Sequence, residues 1–271
     1  MTHPNNQRLQ LIYRDRFKIK EKSAGLLEPS GLVMAHNEPA LWTISDDTKK
    51  IFKLSLEGDL QKGESFALPD KGLEGITIDP TGSYLFTVKE ESNEILKIDL
   101  ETQTVVERHR LAAMDGYDAV ASYFSQSDTN KGLEGISWNH ATGNIFVLKE
   151  GNPSVLLELS PDLETIQANQ VLNADNGFCD PDLNAENIDF SGLCYDPHRD
   201  CFWILSDKAQ RYFLYNWTLN TVIQSSKLSY RTKGKKRDVE KAEGVAIAPD
   251  GDRLYVVSDQ EVRLYVFDIC E

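Results

Sequence analysis

The chain has 271 residues, 40% of them hydrophobic and 27% charged, so it can bury a core of its own, and it contains no apolar run long enough for a membrane-spanning helix. A formal net charge of −14 repels phosphate backbones and excludes a broad nucleic-acid surface, while cations and cationic partners stay compatible with it. The four cysteines, Cys179, Cys194, Cys201 and Cys270, show neither a C-x-x-C pair nor a metal spacing, which points to reduced thiols in a reducing compartment.

The start, Met1 to Arg8, is polar where a secretory signal needs an apolar stretch. A cytoplasmic protein is expected if residue 1 is the natural start, and a periplasmic one if the chain has been trimmed. Residues 8–20, with Leu9-Gln10-Leu11-Ile12-Tyr13 and Phe17-Lys18-Ile19, read as a strand with no place in the first repeated unit. That unit, about 28–68, opens on Ser30-Gly31-Leu32 and continues through Leu41-Trp42-Thr43-Ile44 and Ile51-Phe52-Lys53-Leu54. The second, 73–111, shows the pattern most fully. Glu74-Gly75-Ile76 leads to the turn Asp79-Pro80-Thr81-Gly82, then to Tyr84–Val88, Ile95–Leu100 and Thr104–Arg108. Alternating β-branched and aromatic residues between Asp-Pro and Gly turns predict four antiparallel strands, A to D.

The third unit, 132–171, opens on Glu134-Gly135-Ile136, and the fourth, 189–228, on Ser191-Gly192-Leu193. In the fourth, the turn Asp196–Asp200 is expected to set Cys201 opposite Tyr195, leaving Cys194 on the other face of the sheet and unable to form a disulfide with it. The fifth, 241–270, opens on Glu243-Gly244-Val245 and ends without a strand D. The motif glycines lie 44, 60, 57 and 52 residues apart, the spacing of a repeated supersecondary unit. The prediction is an all-β, single-domain, five-bladed propeller spanning 1–271, its last blade closed by the N-terminal strand. Six blades remain open if the spacer at 112–131 hides a degenerate repeat.

Up-and-down blade topology places strand A starts, B ends, C starts and D ends on one rim. Three long crossings share that rim, at 112–131, 172–188 and 229–240. Asp118–Phe124 in the first is a candidate short helix. The second is rich in oxygen donors, with Asp175, Asn176, Asp180, Asp182, Asn184, Glu186 and Asp189. The third carries the concentrated positive charge Arg231–Arg237, either a solvated loop or a lid for an anionic ligand.

Strand A is innermost, so Glu74, Glu134 and Glu243 should face the channel mouth, and Glu28 and Asp189, two residues ahead of Ser30 and Ser191, should stand in for the serines. The B-strand ends add a second tier, Ser45-Asp46-Asp47, Lys89-Glu90, Lys149-Glu150, Ser206-Asp207 and Ser258-Asp259. Carboxylates crowded at one mouth repel unless a cation compensates them. Calcium, with magnesium as the alternative, suits oxygen ligands from Glu28, Glu74, Glu134, Asp189 and Glu243, leaving Ser30, Asp46, Lys89, Lys149, Ser191, Asp207 and Asp259 to contact a ligand. The competing expectation is structural: the glutamates cap strand A amides and pair with Lys89 and Lys149, while the glycines let blades approach. No organic cofactor is expected. His36, His140 and His198 fall in turns of the far face, and His3 and His109 sit apart, which counts against transition metals and catalysis.

Glu28-Pro29-Ser30-Gly31-Leu32 followed by Leu41–Asp46, then Leu73-Glu74-Gly75-Ile76 followed by Lys89-Glu90-Glu91, resembles the SdiA-regulated, YjiK-like bacterial propellers over residues 25–269. More distantly the chain is similar to NHL, YWTD, esterase-like phytase and gluconolactonase propellers. The last resemblance implies a divalent metal on a first-strand Glu, at Glu28 or Glu74. The nearest family carries no defined activity, so the resemblance speaks chiefly to fold. The expected function is a monomeric protein that binds a small molecule or peptide at the motif face. A metal-dependent lactone or phosphoester hydrolase and a protein-interaction scaffold are the alternatives.

Overall fold

Runs such as Cys201-Phe202-Trp203-Ile204-Leu205 are apolar on both faces of the strand, which only a sheet covered on both sides can satisfy. The computed structural model, which describes residues 8–124, 131–184 and 187–271, meets that demand by packing sheet against sheet around an axis. Blade 1 is β2 (Pro29–Met34), β3 (Ala40–Ser45), β4 (Lys50–Ser55) and a two-residue β5 (Phe66–Ala67). Blade 2 is β6 (Leu73–Ile78), β7 (Tyr84–Lys89), β8 (Glu94–Asp99) and β9 (Thr104–Arg110). Blade 3 is β10 (Leu133–Trp138), β11 (Ile145–Lys149), β12 (Val155–Leu159) and β13 (Ile166–Val171). Blade 4 is β14 (Gly192–Asp196), β15 (Cys201–Ser206), β16 (Arg211–Asn216) and β17 (Thr221–Lys227). Blade 5 is β20 (Ala242–Ile247), β21 (Arg253–Ser258) and β22 (Arg263–Cys270), completed by β1 (Gln10–Lys18).

The protein is thus a five-bladed β-propeller, and the sixth blade left open at 112–131 does not arise among the described residues. That segment holds three 3-10 turns, Leu111–Ala113, Tyr117–Ala119 and Ala121–Tyr123, where a short helix was expected. β1 pairs antiparallel with β22 from Gln10↔Cys270 to Lys18↔Arg263, so the first and last segments of the described chain close the ring together. Each of the five blade-to-blade gaps holds its own hydrophobic cluster; Phe146, Leu148, Tyr195 and Phe202, for example, fill the gap between blades 3 and 4. No helix among the described residues is long and apolar enough to cross a membrane.

Two sequence expectations need correction. In blade 4, Cys201 lies opposite Asp196, and Phe202 opposite Tyr195, one residue off the expected register. Cys194 and Cys201 therefore share a face. They occupy diagonal positions, which in a sheet lie about 7–8 Å apart, beyond the reach of a disulfide, and both are free thiols. The third crossing is not a loop but a hairpin of β18 (Ser229–Thr232) and β19 (Lys235–Asp238).

The second crossing spends its best donor on structure. Asp180, its side chain wholly buried, accepts from Arg211 Nε at 2.9 Å and lies 3.9 Å from Lys227 Nζ. Asn173 and Asn176 cap the 3-10 turn Ala174–Asn176, and Glu186 falls outside the described residues. Replacing Asp180 with Ala leaves the Arg211 head without its buried partner and is expected to cost about 3 kcal/mol in urea denaturation. A loss below about 1 kcal/mol, the scale of an exposed pair, would show the crossing to be indifferent to it.

Candidate binding site at the channel mouth

The innermost strands do not pair regularly with their neighbours. Between Leu133↔Lys149 and Gly135↔Leu148, β10 carries one residue more than β11, and that residue is Glu134. Glu243 is the extra residue between Ala242↔Ser258 and Gly244↔Val257, and similar irregularities fall at Leu73/Ile76 and Pro29/Leu32. A bulge bends the strand and re-aims a side chain that alternation alone would send elsewhere.

The glycine after each motif residue allows the ring to close. A Cβ on Gly31 would lie 2.5 Å from the Glu74 carbonyl oxygen, one on Gly75 2.7 Å from that of Glu134, one on Gly192 2.5 Å from that of Glu243 and one on Gly244 2.6 Å from that of Ser30. At Gly135 the obstacle is Leu193 Cβ, at 2.8 Å. Each blade thus presses its motif glycine on the next, and the axis retains about 10 Å³ of space, at most one water.

Above this plug the channel widens into a mouth of about 410 Å³. Its inner tier is Glu28, Glu74, Glu134, Asp189 and Glu243, one carboxyl from each blade, with Ser30 and Ser191 beside them. The outer tier, from the B-strand ends, is Asp46, Glu90, Glu150, Asp207 and Asp259. Ten carboxyls therefore meet three ammonium groups, each already engaged: Lys208 Nζ lies 3.3 Å from Asp189, Lys241 Nζ 3.0 Å from Asp259 and Lys131 Nζ, at the edge of the mouth, 3.5 Å from Glu150.

The serines support the ring. Ser191 Oγ donates to the Ala242 carbonyl of blade 5 at 2.7 Å, while Ser206 Oγ and the Lys208 amide donate to Asp189 at 3.1 and 3.0 Å. Burial and like charge then act on the carboxyls. Burial, with Asp46 and Glu90 nearby, pushes Glu74 up to about 8. A hydrogen bond shared with Asp47, then burial, raises Glu28 to about 7. Glu134 is held well above the usual carboxylate range by burial and by Glu74, Glu90, Glu243 and Glu150, and Glu243 likewise by burial and Asp207. Burial also raises Asp46, Glu90, Glu150 and Asp207.

Of the twelve residues picked from sequence as metal or ligand contacts, ten line the mouth and two, Lys89 and Lys149, do not. They close the B strands of blades 2 and 3 where Ser45, Ser206 and Ser258 close the others, and the next residue turns inward in every blade. Lys89 lies instead 3.8 Å from Asp70, and Lys149 is buried, donating to the carbonyls of Gly151 and Pro153. Glu90 and Glu150, noted from sequence at the same strand ends but passed over for the lysines as contacts, line the mouth in their place, and the residues missed were Lys208, after β15, and Lys241, just before β20. The five predicted metal ligands do not form one ligand set. Carboxylate oxygens converge within 4.8 Å in two groups, Glu90–Glu134–Glu150 and Glu28–Asp46–Asp47, so Glu134 and Glu28 fall in different groups. No histidine is among the residues lining the mouth: His36 packs on Gly82 and His198 Nε2 lies 2.9 Å from the Pro249 carbonyl oxygen, both on the far face, while His3 falls outside the described residues.

The sequence profile of the SdiA-regulated family matches residues 9–268, from the closing strand to the last strand of blade 5. The chain belongs to the SdiA-regulated family. That match includes every inner-tier carboxyl, so the two-tiered mouth lies wholly within the family's domain. Among solved structures, the family member is similar to the Myxococcus xanthus glutaminyl cyclase at a TM-score of 0.64 and 14% identity, over 97% of each chain, which reflects a shared fold. It also matches the β-propeller domain of Cps50 (Swd1) from Myceliophteria thermophila at a TM-score of 0.48 and 12% identity, over 90% of this chain, and it spans 65% of that chain.

Proposed function

We propose that this SdiA-regulated propeller binds a small or peptide-like ligand at the channel mouth through a divalent cation, calcium before magnesium, held by Glu90, Glu134 and Glu150. The observation that carries the reading is the convergence of these three carboxylates within 4.8 Å at a mouth where ten carboxyls meet only three committed lysines, one of them, Lys131, beside Glu150. Carboxyls whose titration burial and like charge push upward are costly to ionise one by one, and a hard cation with oxygen ligands makes their joint ionisation favourable. Three protein ligands leave coordination positions for water or ligand oxygens, and a mouth of about 410 Å³ in all suits a small molecule or a short peptide segment.

Calorimetry on chelator-treated protein tests this. Calcium should bind the wild type more tightly than magnesium does, and Glu134→Gln should weaken it at least about tenfold, the effect of losing one charged ligand worth 1.4 kcal/mol or more. No heat with either ion, together with a melting temperature indifferent to chelator, rejects the reading.

A second reading, a metal-dependent hydrolase of lactones or phosphoesters, draws support from Glu28 and Glu74, which titrate near neutrality and so suit proton transfer. Turnover of generic lactone or phosphoester substrates that is lost in Glu74→Gln would favour it. The glutaminyl cyclase likeness makes a glutaminyl substrate the natural third assay.

A further inference from the structure

The crossing from blade 4 to blade 5 lifts a second charged feature onto the mouth face. Leu228, at its base, donates its amide to the Gln210 carbonyl at 3.0 Å, next to the mouth residues Asp207 and Lys208, and the chain leaves the crossing into Lys241, another mouth residue. Between them stands the β18–β19 hairpin, turned by Lys233 (φ 48°) and Gly234 (φ 75°), both left-handed as a two-residue hairpin turn requires.

Its base is fixed and its tip is not engaged. Tyr230 is 3% exposed, its ring 5.5 Å from Tyr13 on β1 and 5.1 Å from Tyr265 on β22, and Val239 is fully buried. These anchors lie on the outer strands of blade 5, so the hairpin stands at the rim, and none of its residues lines its own mouth. Arg231, Lys233, Lys235, Lys236 and Arg237 are exposed or nearly so, and among the described residues none of them has a carboxylate partner. Arg231 lies directly opposite Lys236, a like-charge cross-strand pair that destabilises an isolated hairpin. The chain thus presents a cationic prong without carboxylate partners beside an acidic cavity in which ten carboxyls meet three ammonium groups, those of Lys131, Lys208 and Lys241.

We propose that the hairpin docks into the mouth of a second copy of the chain, two copies packing mouth face to mouth face. The occupant is set by charge and symmetry. Because prong and cavity lie on the same face, a two-fold axis in the plane of contact carries each hairpin over the other copy's mouth, an isologous contact that closes on itself. An extended polyanion such as a membrane surface or nucleic acid, laid across that face, would meet the ten mouth carboxyls as well as the prong. A second copy presents acid to base twice and leaves neither patch unpaired. The contact depends on the charge of the mouth and not on whether a metal binds there. It departs from the monomer expected from the sequence.

Sedimentation equilibrium of the full chain with chelator present tests it, at about 0.01 M and about 1 M salt, where the screening length falls from about 30 Å to about 3 Å. The expected result is a dimer at low salt that dissociates at high salt. In the triple variant Lys233→Glu, Lys235→Glu, Lys236→Glu the dissociation constant should rise at least about tenfold, since several exposed charge pairs are reversed together. These positions are exposed, so an unchanged melting curve verifies the fold of the variant. A wild type monomeric at low salt, or a dimer unaffected by the reversal, overturns the proposal. So does a monomer that cosediments with anionic vesicles or duplex DNA, an outcome that would assign the prong to a polyanion.

Discussion

Gly75→Ala is expected to destabilise the protein by about 3 kcal/mol or more and to lower its melting temperature by about 6–12 °C. The added methyl would sit 2.7 Å from both the Glu134 carbonyl oxygen and the Ile136 amide nitrogen of the next blade. Neither is a side chain that can rotate away, and moving either shifts a strand that the next blade in turn presses upon. Gly31→Ala, at 2.5 Å from the Glu74 carbonyl oxygen, should behave alike. Gly63, which has nothing within 4 Å of the same virtual atom, is the control. Gly63→Ala should be neutral or stabilising by up to about 1 kcal/mol, because alanine restricts the unfolded chain. Thermal and urea unfolding of the three variants decides the matter: equal stability of Gly75→Ala and Gly63→Ala would refute the role of the ring glycines.

With chelator present, stability should peak near pH 5 and fall as the pH rises to about 8, by an amount on the order of a few kcal/mol. The folded protein holds Glu28 near 7 and Glu74 near 8, above the 4.5 of an unperturbed Glu, and holds Glu134 and Glu243 high as well. Between the unfolded and folded values the native state binds more protons, so stability is present below the unfolded value and is lost as pH climbs through the folded ones. Glu28, the more solvated of the two, contributes the smaller part. The acid limb has the opposite sign. Asp70, hydrogen-bonded by Arg108, and Glu94, hydrogen-bonded by Arg110, titrate below their ordinary values, and their contribution disappears as the pH falls through those lowered values. Glu134→Gln should flatten the slope between pH 5 and 8 and raise the melting temperature at pH 8, even though it removes a proposed cation ligand. Calcium should restore wild-type stability at pH 8 and do little at pH 5. A profile that is level from pH 5 to 8 would contradict the whole electrostatic account of the mouth.

The gain of a neutral residue at Glu134 and the cost of a methyl at Gly75 concern neighbouring strands of one inner ring. The bulge that aims the glutamate and the close approach that demands the glycine come from the same short motif. That coupling explains why the motif could be read from the chain. Period-two alternation between Asp-Pro and Gly turns is local chemistry, and it marked out the blades and pointed to five of them, with six left open, and to the closing strand Leu11-Ile12-Tyr13. The position of the repeated motif at the head of each innermost strand brought all five inner-tier carboxyls to notice, including Glu28 and Asp189 as substitutes for the serines, although the bulges that aim Glu134 and Glu243 are seen only in the structure.

Features beyond local pattern were decided by tertiary structure. Whether Lys89 or Glu90 faces the mouth depends on how the chain turns after its last ladder pair, and Cys201 opposes Asp196 because the turn tightens by one residue. The grouping of Glu134 with Glu90 and Glu150 joins carboxyls from blades 2 and 3, and the raised titration of Glu74 arises from burial and from Asp46 of blade 1 as well as from Glu90. The seat of Tyr230 between Tyr13 and Tyr265, which makes a prong of an apparent loop, joins residues from opposite ends of the chain. Alternation and turn chemistry act over a few residues and are written in the sequence. Burial and Coulomb interactions act over a few ångströms between residues far apart in sequence, and those distances exist only once the ring has closed.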